Sequence, residues 1–236
     1  MKISVCMATY NGEKYIKEQL ESILNQSLPV DEIIISDDSS TDNTVRIIKD
    51  LNESRIVLLE NNKFRSPIFN FENALNNATG SVIFLSDQDD IWMTDKVRIL
   101  NENLKQYDLV VSDASLVDAN GFITDDSFFE LRKSGAGLFK NIYKNTYLGC
   151  CMAFNRNILK KSLPFPARIP MHDIWLGLIA EKRGNTYFCK EKLVHYRRHS
   201  SNASPTGEKS CYSTLEKILF RYNLIFSLMR RCYFDK

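Results

Sequence analysis

Short apolar runs alternate with amphipathic stretches along residues 1–112, and the two periods predict strand and helix in strict alternation. Ile3 to Met7 is continuous enough in its hydrophobicity for a buried strand, and Asn11-Gly12 breaks it. A helix is expected from about Glu13 to Asn25, with Tyr15, Ile16, Leu20, Ile23 and Leu24 on its apolar face. Pro29 marks a turn, and Glu32 to Ser36, with isoleucines from Ile33, is the second strand. Thr41 or Asp42 can cap a helix carrying Val45, Ile47 and Ile48, and Arg55 to Leu59 gives a third strand. Ser66-Pro67 is a helix start, a capping hydroxyl followed by proline in the first turn, and this helix should end near Thr79-Gly80. Val82 to Leu85 is a strand, Thr94 can cap the helix that follows, and Asp108 to Ser112 is strand again.

Beyond residue 112 the alternation is less regular. Leu148 to Phe154 reads as a strand, prolines 164, 166 and 170 interrupt the chain, and a helix follows His172-Asp173 with Ile174, Trp175, Leu178 and Ile179 inward. Thr186 to Cys189 and Leu193 to Arg197 read as short strands and Asn202 to Gly207 as loop. From about Leu215 an aromatic and aliphatic face is interspersed with Lys217, Arg221, Arg230 and Arg231, a pattern that suits core packing, a partner helix or a membrane surface.

Connections this short favour an α/β fold, a mostly parallel sheet covered by helices. In such sheets the ligand crevice lies beyond the C-terminal strand ends. Three polar clusters fall there: Thr9-Tyr10-Asn11, Asp37-Asp38-Ser39 and Asp87-Gln88-Asp89. The last belongs to Ser86-Asp87-Gln88-Asp89-Asp90-Ile91-Trp92, where an apolar strand delivers three carboxylates. Carboxylates so close repel one another unless a cation sits between them, and such a group can bring a divalent ion to a diphosphate. A solvated turn is the plain alternative, against which stand the preceding strand and the following aromatic.

Composition narrows the field. The chain has 236 residues, 44% of them hydrophobic, enough for one substantial core or a domain with a smaller lobe. A net charge of +2 gives no nucleic-acid footprint. Six cysteines without CxxC spacing offer neither a disulfide framework nor a zinc site, which suits a reduced cytoplasmic setting. There is no signal-like segment and no apolar run as long as a bilayer span, so the expectation is a soluble or peripheral protein.

The ordered set of motifs resembles the family 2 glycosyltransferases, which have the GT-A fold. It comprises Val5-Cys6-Met7-Ala8-Thr9-Tyr10-Asn11-Gly12, Ser27-Leu28-Pro29, Ile35-Ser36-Asp37-Asp38-Ser39-Ser40-Thr41-Asp42 and Leu85-Ser86-Asp87-Gln88-Asp89-Asp90-Ile91-Trp92. Met171-His172-Asp173-Ile174-Trp175 and Tyr196-Arg197-Arg198-His199-Ser200-Ser201-Asn202 complete it, and the coverage runs from residue 1 to about 205. The acidic motif looks most like the branch that builds bacterial surface polysaccharides, in which rhamnosyltransferases are common. The resemblance implies a single GT-A domain over residues 1–210, with 1–112 binding the nucleotide sugar and 113–210 the acceptor, followed by a basic, apolar helical tail over 211–236.

It further implies inverting, metal-dependent transfer of a sugar from a nucleotide diphosphate, dTDP-rhamnose or a UDP-hexose, to a glycan or lipid-linked glycan at the inner face of the bacterial cell membrane. Asp89 matches the second carboxylate of the family's Asp-x-Asp motif and would bind Mg2+ or Mn2+. Asp87 would contact the ribose, or the metal through water, and Asp90 would orient the loop or cap a helix. Asp38 matches the residue that accepts a hydrogen bond from the pyrimidine ring, with Asp37 supporting its loop. Tyr10 would pack along the base, with Ala8 and Thr9 beside it; a buried structural tyrosine is the alternative. Asn70 stands where some relatives carry an arginine near the nucleotide, and Arg65 is a nearby source of charge. Asp173 matches the general base, His172 lines the acceptor or tunes it, and helix capping is the alternative for Asp173. His199 would ligate the metal and Arg198 meet phosphate charge. Gly149 would keep a close backbone approach beside the acceptor, while Cys150 and Cys151 fill core.

Four rivals remain at this level. A processive membrane synthase would show Gln-x-x-Arg-Trp, which this chain lacks. A nucleotidyltransferase would carry a glycine-rich basic loop near the first strand, and an NAD enzyme GxGxxG; neither is present. A non-catalytic carbohydrate- or nucleotide-binding protein on a degenerate transferase fold would not need Asp38, Asp87, Asp89 and Asp173 together.

Overall fold

The computed structural model describes residues 1–199, 202 and 213–233. In chain order the elements are β1 (Ile3–Thr9), α1 (Ile16–Leu24), β2 (Glu32–Asp37), α2 (Thr44–Asp50), β3 (Ile56–Leu59), α3 (Pro67–Asn77), β4 (Val82–Ser86), β5 (Ile91–Trp92) and α4 (Lys96–Asn103). They continue with β6 (Leu109–Val117), β7 (Ile123–Asp125), α5 (Phe128–Arg132), α6 (Leu138–Tyr143), a 3-10 turn (Gly149–Cys151), β8 (Met152–Asn155), α7 (Arg156–Ser162), α8 (His172–Arg183), β9 (Thr186–Arg197) and α9 (Thr214–Tyr233).

The strands form one sheet in the order β3-β2-β1-β4-β8-β6-β9-β5, with β7 paired to β6. Its first half, β3-β2-β1-β4, is parallel, as the alternation of strand and helix predicts. The second half is mixed: β8 runs antiparallel to both β4 and β6, β9 is parallel to β6, and β5 is antiparallel to β9. β2 and β4 are buried along their whole length, which is why they read as unbroken apolar runs. Helices cover both faces, and α1 buries Ile16, Leu20 and Ile23.

The start signals are met in detail with small shifts. A turn closed by Tyr15 N and Ile16 N on the Gly12 carbonyl precedes α1, so that helix begins later than its periodicity suggests. The cap of α2 falls on Asn43, which makes no side-chain cap bond; Asp42, one residue earlier, instead closes the turn before the helix, its Oδ1 accepting from Thr44 N at 3.0 Å. Pro67 opens α3 as expected, and Ser66 stands at the N-cap, but its hydroxyl makes no cap bond. The Thr94 cap is not formed: Asp95 stands at the N-cap of α4 and turns its carboxylate to Ser27 and Arg98 instead. The stretch expected as a strand from Leu148 opens with the 3-10 turn and becomes extended only at Met152. Thr186 to Arg197 is one strand rather than two, with its register against β6 shifting around Asp113. Of the loop expected over 202–207, Asn202 alone lies within the described residues.

Candidate active site

The C-terminal ends of β1, β2 and β4 open on a cleft of about 690 Å3. Ala8, Thr9 and Tyr10 enter it from β1, Asp38 and Ser39 from β2, and Asp87, Gln88 and Asp89 from β4. Asn70 and Phe71 reach it from α3 and Asp173 from the first turn of α8. Residues far apart in the chain thus share one cavity, the arrangement a parallel sheet imposes on its strand ends.

At the β2 end, Asp37 is structural. Its carboxylate accepts from Thr9 Oγ1 at 3.0 Å and from the Ser40 amide at 2.9 Å, holding the two loops together. Asp38 accepts from Phe64 N at 2.6 Å and faces the cleft. Tyr10 is 57% exposed, so it is no core tyrosine. Asn70 ties Nδ2 to the Thr9 carbonyl at 3.1 Å and leaves Oδ1 buried without a partner among the described residues. Lys63 and Arg65 both line this end; the sequence singles out Arg65 but not Lys63.

The acidic loop has been pulled into shape by buried cations. The guanidinium of Arg197 donates from Nε to the Asp89 carbonyl at 2.8 Å and from Nη2 to Glu18 at 2.6 Å, while its backbone N–H donates to Asp90 Oδ1 at 2.9 Å. The loop is therefore pinned to α1 and to the end of β9. Lys96, fully buried, donates to the Cys150 carbonyl at 2.5 Å and lies over the Trp92 ring at 3.5 Å. Burial lowers its pKa to about 8, opposed by the charges around it, Asp90 and Asp87 among them.

These cations do not neutralise the cluster. Burial and then the charge of Asp89 raise the pKa of Asp87 to about 7. Burial raises Asp89 to about 6, against the pull of Arg197 and Arg198, and drives Asp90 well above the usual carboxylate range, with Asp89 and Asp87 adding to it. Asp89 Oδ2 lies 2.9 Å from His199 Nε2, with Asn202 Nδ2 at 3.3 Å. Asp87, Asp90 and Cys150 also place ligand atoms within 4.8 Å of one another. The Cys150 thiol, its pKa driven up by burial, remains protonated and acts there as a donor to carboxylate, not as a thiolate ligand. The cleft side offers the carboxylate oxygens of Asp87 and Asp89, with the His199 imidazole held against Asp89 and negative charge left unbalanced, and this set fits a divalent cation.

Arg198 does not line the cleft. It sits at the rim against Tyr196, Nη1 3.5 Å from the phenol oxygen. His199 likewise does not line the cleft; it contacts Asp89 and stacks on Tyr15 with ring centroids 4.9 Å apart. Asp90 is drawn into the Arg197 clamp, in keeping with a loop-orienting role.

Asp173 stands at the opposite wall. Its Oδ1 accepts from Ile174 N at 2.5 Å, so it engages its own helix terminus while facing the cleft. Burial, with the charge of Asp87 adding to it, raises its pKa to about 7. A carboxylate so tuned can take a proton near neutrality.

A larger hollow, about 910 Å3, lies under α9 against the 160–168 segment. It is lined by Lys160, Lys161, Arg168, Arg183, Arg230 and Arg231 among apolar side chains, with no carboxylate.

The family model described as Glycosyl transferase family 2 matches residues 4–163. The chain is 33% identical over 216 residues to the dTDP-rhamnosyl transferase RfbG of Shigella flexneri, an alignment covering 83% of this chain and 72% of that protein. It is 26% identical over 209 residues to the UDP-Glc:alpha-D-GlcNAc-diphosphoundecaprenol beta-1,3-glucosyltransferase WfgD of Escherichia coli, covering 86% and 79%. In fold it resembles residues 1–349 of S. aureus TarS, crystallised with UDP-GlcNAc, at a TM-score of 0.74 and 20% sequence identity, covering 98% of this chain and 66% of that one. The chain thus spans just under two thirds of that TarS structure, and at this identity the likeness is one of fold.

Proposed function

The chain belongs to glycosyl transferase family 2, and on that premise we propose that it moves a sugar from a nucleotide-diphosphate sugar to a hydroxyl of a glycan or lipid-linked glycan in bacterial surface-polysaccharide synthesis. What carries the proposal is one cleft holding Asp38, Asp87, Asp89 and Asp173, drawn from two strand ends and a helix start. The names of RfbG and WfgD point to dTDP-rhamnose and UDP-glucose as donor classes.

Asp38 and Tyr10 sit where a pyrimidine would be read, with Ala8 and Thr9 alongside, and Lys63 and Arg65 bring positive charge to that end. Asp89 and Asp87, with His199 against Asp89, would hold Mg2+ or Mn2+. When bound, such an ion neutralises charge on the departing diphosphate. Asp173 takes the proton of the acceptor hydroxyl as that oxygen attacks the anomeric carbon. The bond from that carbon to the diphosphate oxygen breaks, its electron pair leaves with the diphosphate, and a single displacement inverts the centre. Arg198, at the rim, is assigned to phosphate charge. Residues 1–112 are the nucleotide part and 113–210 the acceptor part, in keeping with Leu148, Gly149, Met171 and Asp173 on the far wall.

Peripheral contact with an anionic membrane is part of the proposal. Leu215, Ile218, Leu219, Tyr222, Ile225, Phe226 and Met229 form an exposed stripe on α9, at helical spacing. Leu224 and Leu228 face inward, and the basic hollow adjoins the stripe. Among the described residues no helix is long and apolar enough to cross a membrane. Incubation with dTDP-rhamnose or UDP-glucose and Mn2+ tests the transferase assignment. Release of the nucleoside diphosphate that stops with EDTA supports it, and intact donor in every case overturns it.

A further inference from the structure

Three helices end around the hollow under α9, and each has basic residues in its last turn: Lys160 and Lys161 on α7, Lys182 and Arg183 on α8, Arg230 and Arg231 on α9. A cation there answers the partial negative charge of the last carbonyls. The side chains do so in a ring. Arg231 donates from Nη1 to the Lys161 and Leu163 carbonyls at the end of α7, at 3.0 and 2.9 Å. Arg183 donates from Nη2 to the Cys232 carbonyl of α9. Lys161 reaches the Arg183 carbonyl at the end of α8, at 3.3 Å. One cation from each helix thus closes the terminus of another.

The ring leaves Lys160, Arg168 and Arg230 over. They line the same hollow and are exposed, and none of their side chains makes a hydrogen bond or ion pair among the described residues. A concave surface of one sign over an apolar wall concentrates counter-ions, so the ligand it fits is an anion. The wall limits which anion. Tyr222 and Phe226 line the hollow from α9, are 63% and 58% exposed, and lie with ring centroids 6.3 Å apart. Both also belong to the outer stripe, so cationic and apolar surface meet at these two rings.

We propose that the hollow binds the phosphate group of an anionic lipid, held by Lys160, Arg168 and Arg230, with the lipid's apolar part against Tyr222 and Phe226. A phosphate ester presents several charged acceptor oxygens, which suit two guanidinium forks and an ammonium together. Free phosphate satisfies the cations and leaves the rings bare, and an uncharged lipid does the reverse. The assignment rests on the peripheral membrane contact proposed above and deepens it, from attraction to a charged surface to a site of fixed stoichiometry.

The full chain is titrated calorimetrically in EDTA with dihexanoylphosphatidic acid below its micelle concentration, with dihexanoylphosphatidylcholine and with inorganic phosphate. Lys160→Gln/Arg168→Gln/Arg230→Gln is compared with wild type and with Arg46→Gln/Lys105→Gln/Lys190→Gln, which loses the same charge at exposed positions outside the hollow. Exposed substitutions of this kind should leave the melting temperature near wild type. Wild type and the control variant are expected to bind one phosphatidic acid per chain, about tenfold or more tighter than inorganic phosphate, and no phosphatidylcholine. The hollow variant should lose about tenfold or more in that affinity. Unchanged affinity in the hollow variant, or equal weakening in both variants, overturns the site. Inorganic phosphate bound as tightly as phosphatidic acid overturns the lipid and assigns a soluble phosphate instead. Cosedimentation with phosphatidic acid vesicles separates the two readings. Wild type left unbound overturns the peripheral contact itself, whereas wild type and hollow variant sedimenting alike overturn the site alone.

Discussion

The side-chain amide of Gln88 hydrogen-bonds both backbone groups of Tyr10, accepting from its N–H at 2.9 Å and donating to its carbonyl at 3.1 Å. The latch joins the loop after β1 to the loop after β4, the two segments assigned to base and diphosphate. Gly12 makes room for it, since a Cβ there would stand 2.4 Å from Gln88 Oε1.

Gln88→Ala and Gly12→Ala should therefore act alike. Each frees Tyr10 and the acidic loop to move independently, at the cost of two partly exposed hydrogen bonds. Donor KM is expected to rise roughly tenfold in steady-state kinetics with little change in kcat. An unchanged donor KM in both variants would remove the latch from the account.

Asp173→Asn keeps the shape and removes the base. Donor affinity should stay near wild type while kcat falls by about 10²–10⁴. Because burial, reinforced by Asp87, holds the wild-type carboxyl at about 7, kcat should decline below that pH by about tenfold per unit. A variant that transfers sugar at the normal rate would show that the proton goes elsewhere.

Stability should depend on pH and divalent ion together. Asp87, Asp89 and Asp173 have folded pKa values of about 7, 6 and 7, raised above their ordinary 3.8. Between roughly pH 4 and 7 the folded chain binds more protons than the unfolded chain at these sites, so their contribution falls as pH rises through that window. A divalent ion on the ionised carboxylates opposes this. The rise in melting temperature on replacing EDTA with Mn2+ should thus be larger at pH 7.5 than at pH 5. Taking the difference cancels the opposite trend of His172, whose pKa is lowered. Equal increments at both pH values would count against carboxylate binding.

The α9 stripe is tested without disturbing its inner face. Leu219 and Phe226 are 57% and 58% exposed, so Leu219→Glu/Phe226→Glu should fold normally. Cosedimentation with anionic vesicles is expected to drop several-fold, with zwitterionic vesicles binding little in either case. Equal partitioning of wild type and variant on anionic vesicles would contradict a membrane role. A shift from dimer to monomer in the variant would instead assign the stripe to a second copy.

The legible part of the sequence was its first half, and the reason is burial. β1, β2 and β4 are covered on both faces, so their ends, and with them Thr9, Asp38 and Asp87, stand out as the points where apolar runs stop. β6 hides its true end. It appears to finish at Ser112, but Ser112, Asp113 and Ser115 are all buried. Asp113 is satisfied by Ser127 Oγ at 2.5 Å and Phe129 N at 2.9 Å, partners that become visible only once α5 is in place. Exposed Lys190, Glu191 and Lys192 split the apparent pattern of β9. Arg197 read as the end of a strand. Its work depends on Glu18, 179 positions away, and no local period carries that information. Gln88 and Lys96 were hidden for the same reason, their partners being backbone groups of distant loops.

The central claim is that the acidic loop and a divalent ion bind a nucleoside diphosphate in this cleft. Calorimetric titration of UDP and dTDP into wild type and Asp89→Ala, first with Mn2+ and then with EDTA, addresses it directly. The account predicts binding of at least one nucleotide by wild type in Mn2+, lost in EDTA and in Asp89→Ala, and a preference for dTDP would favour a rhamnosyl or related deoxysugar donor. Absence of binding by wild type in Mn2+, or equal binding by Asp89→Ala, would contradict it.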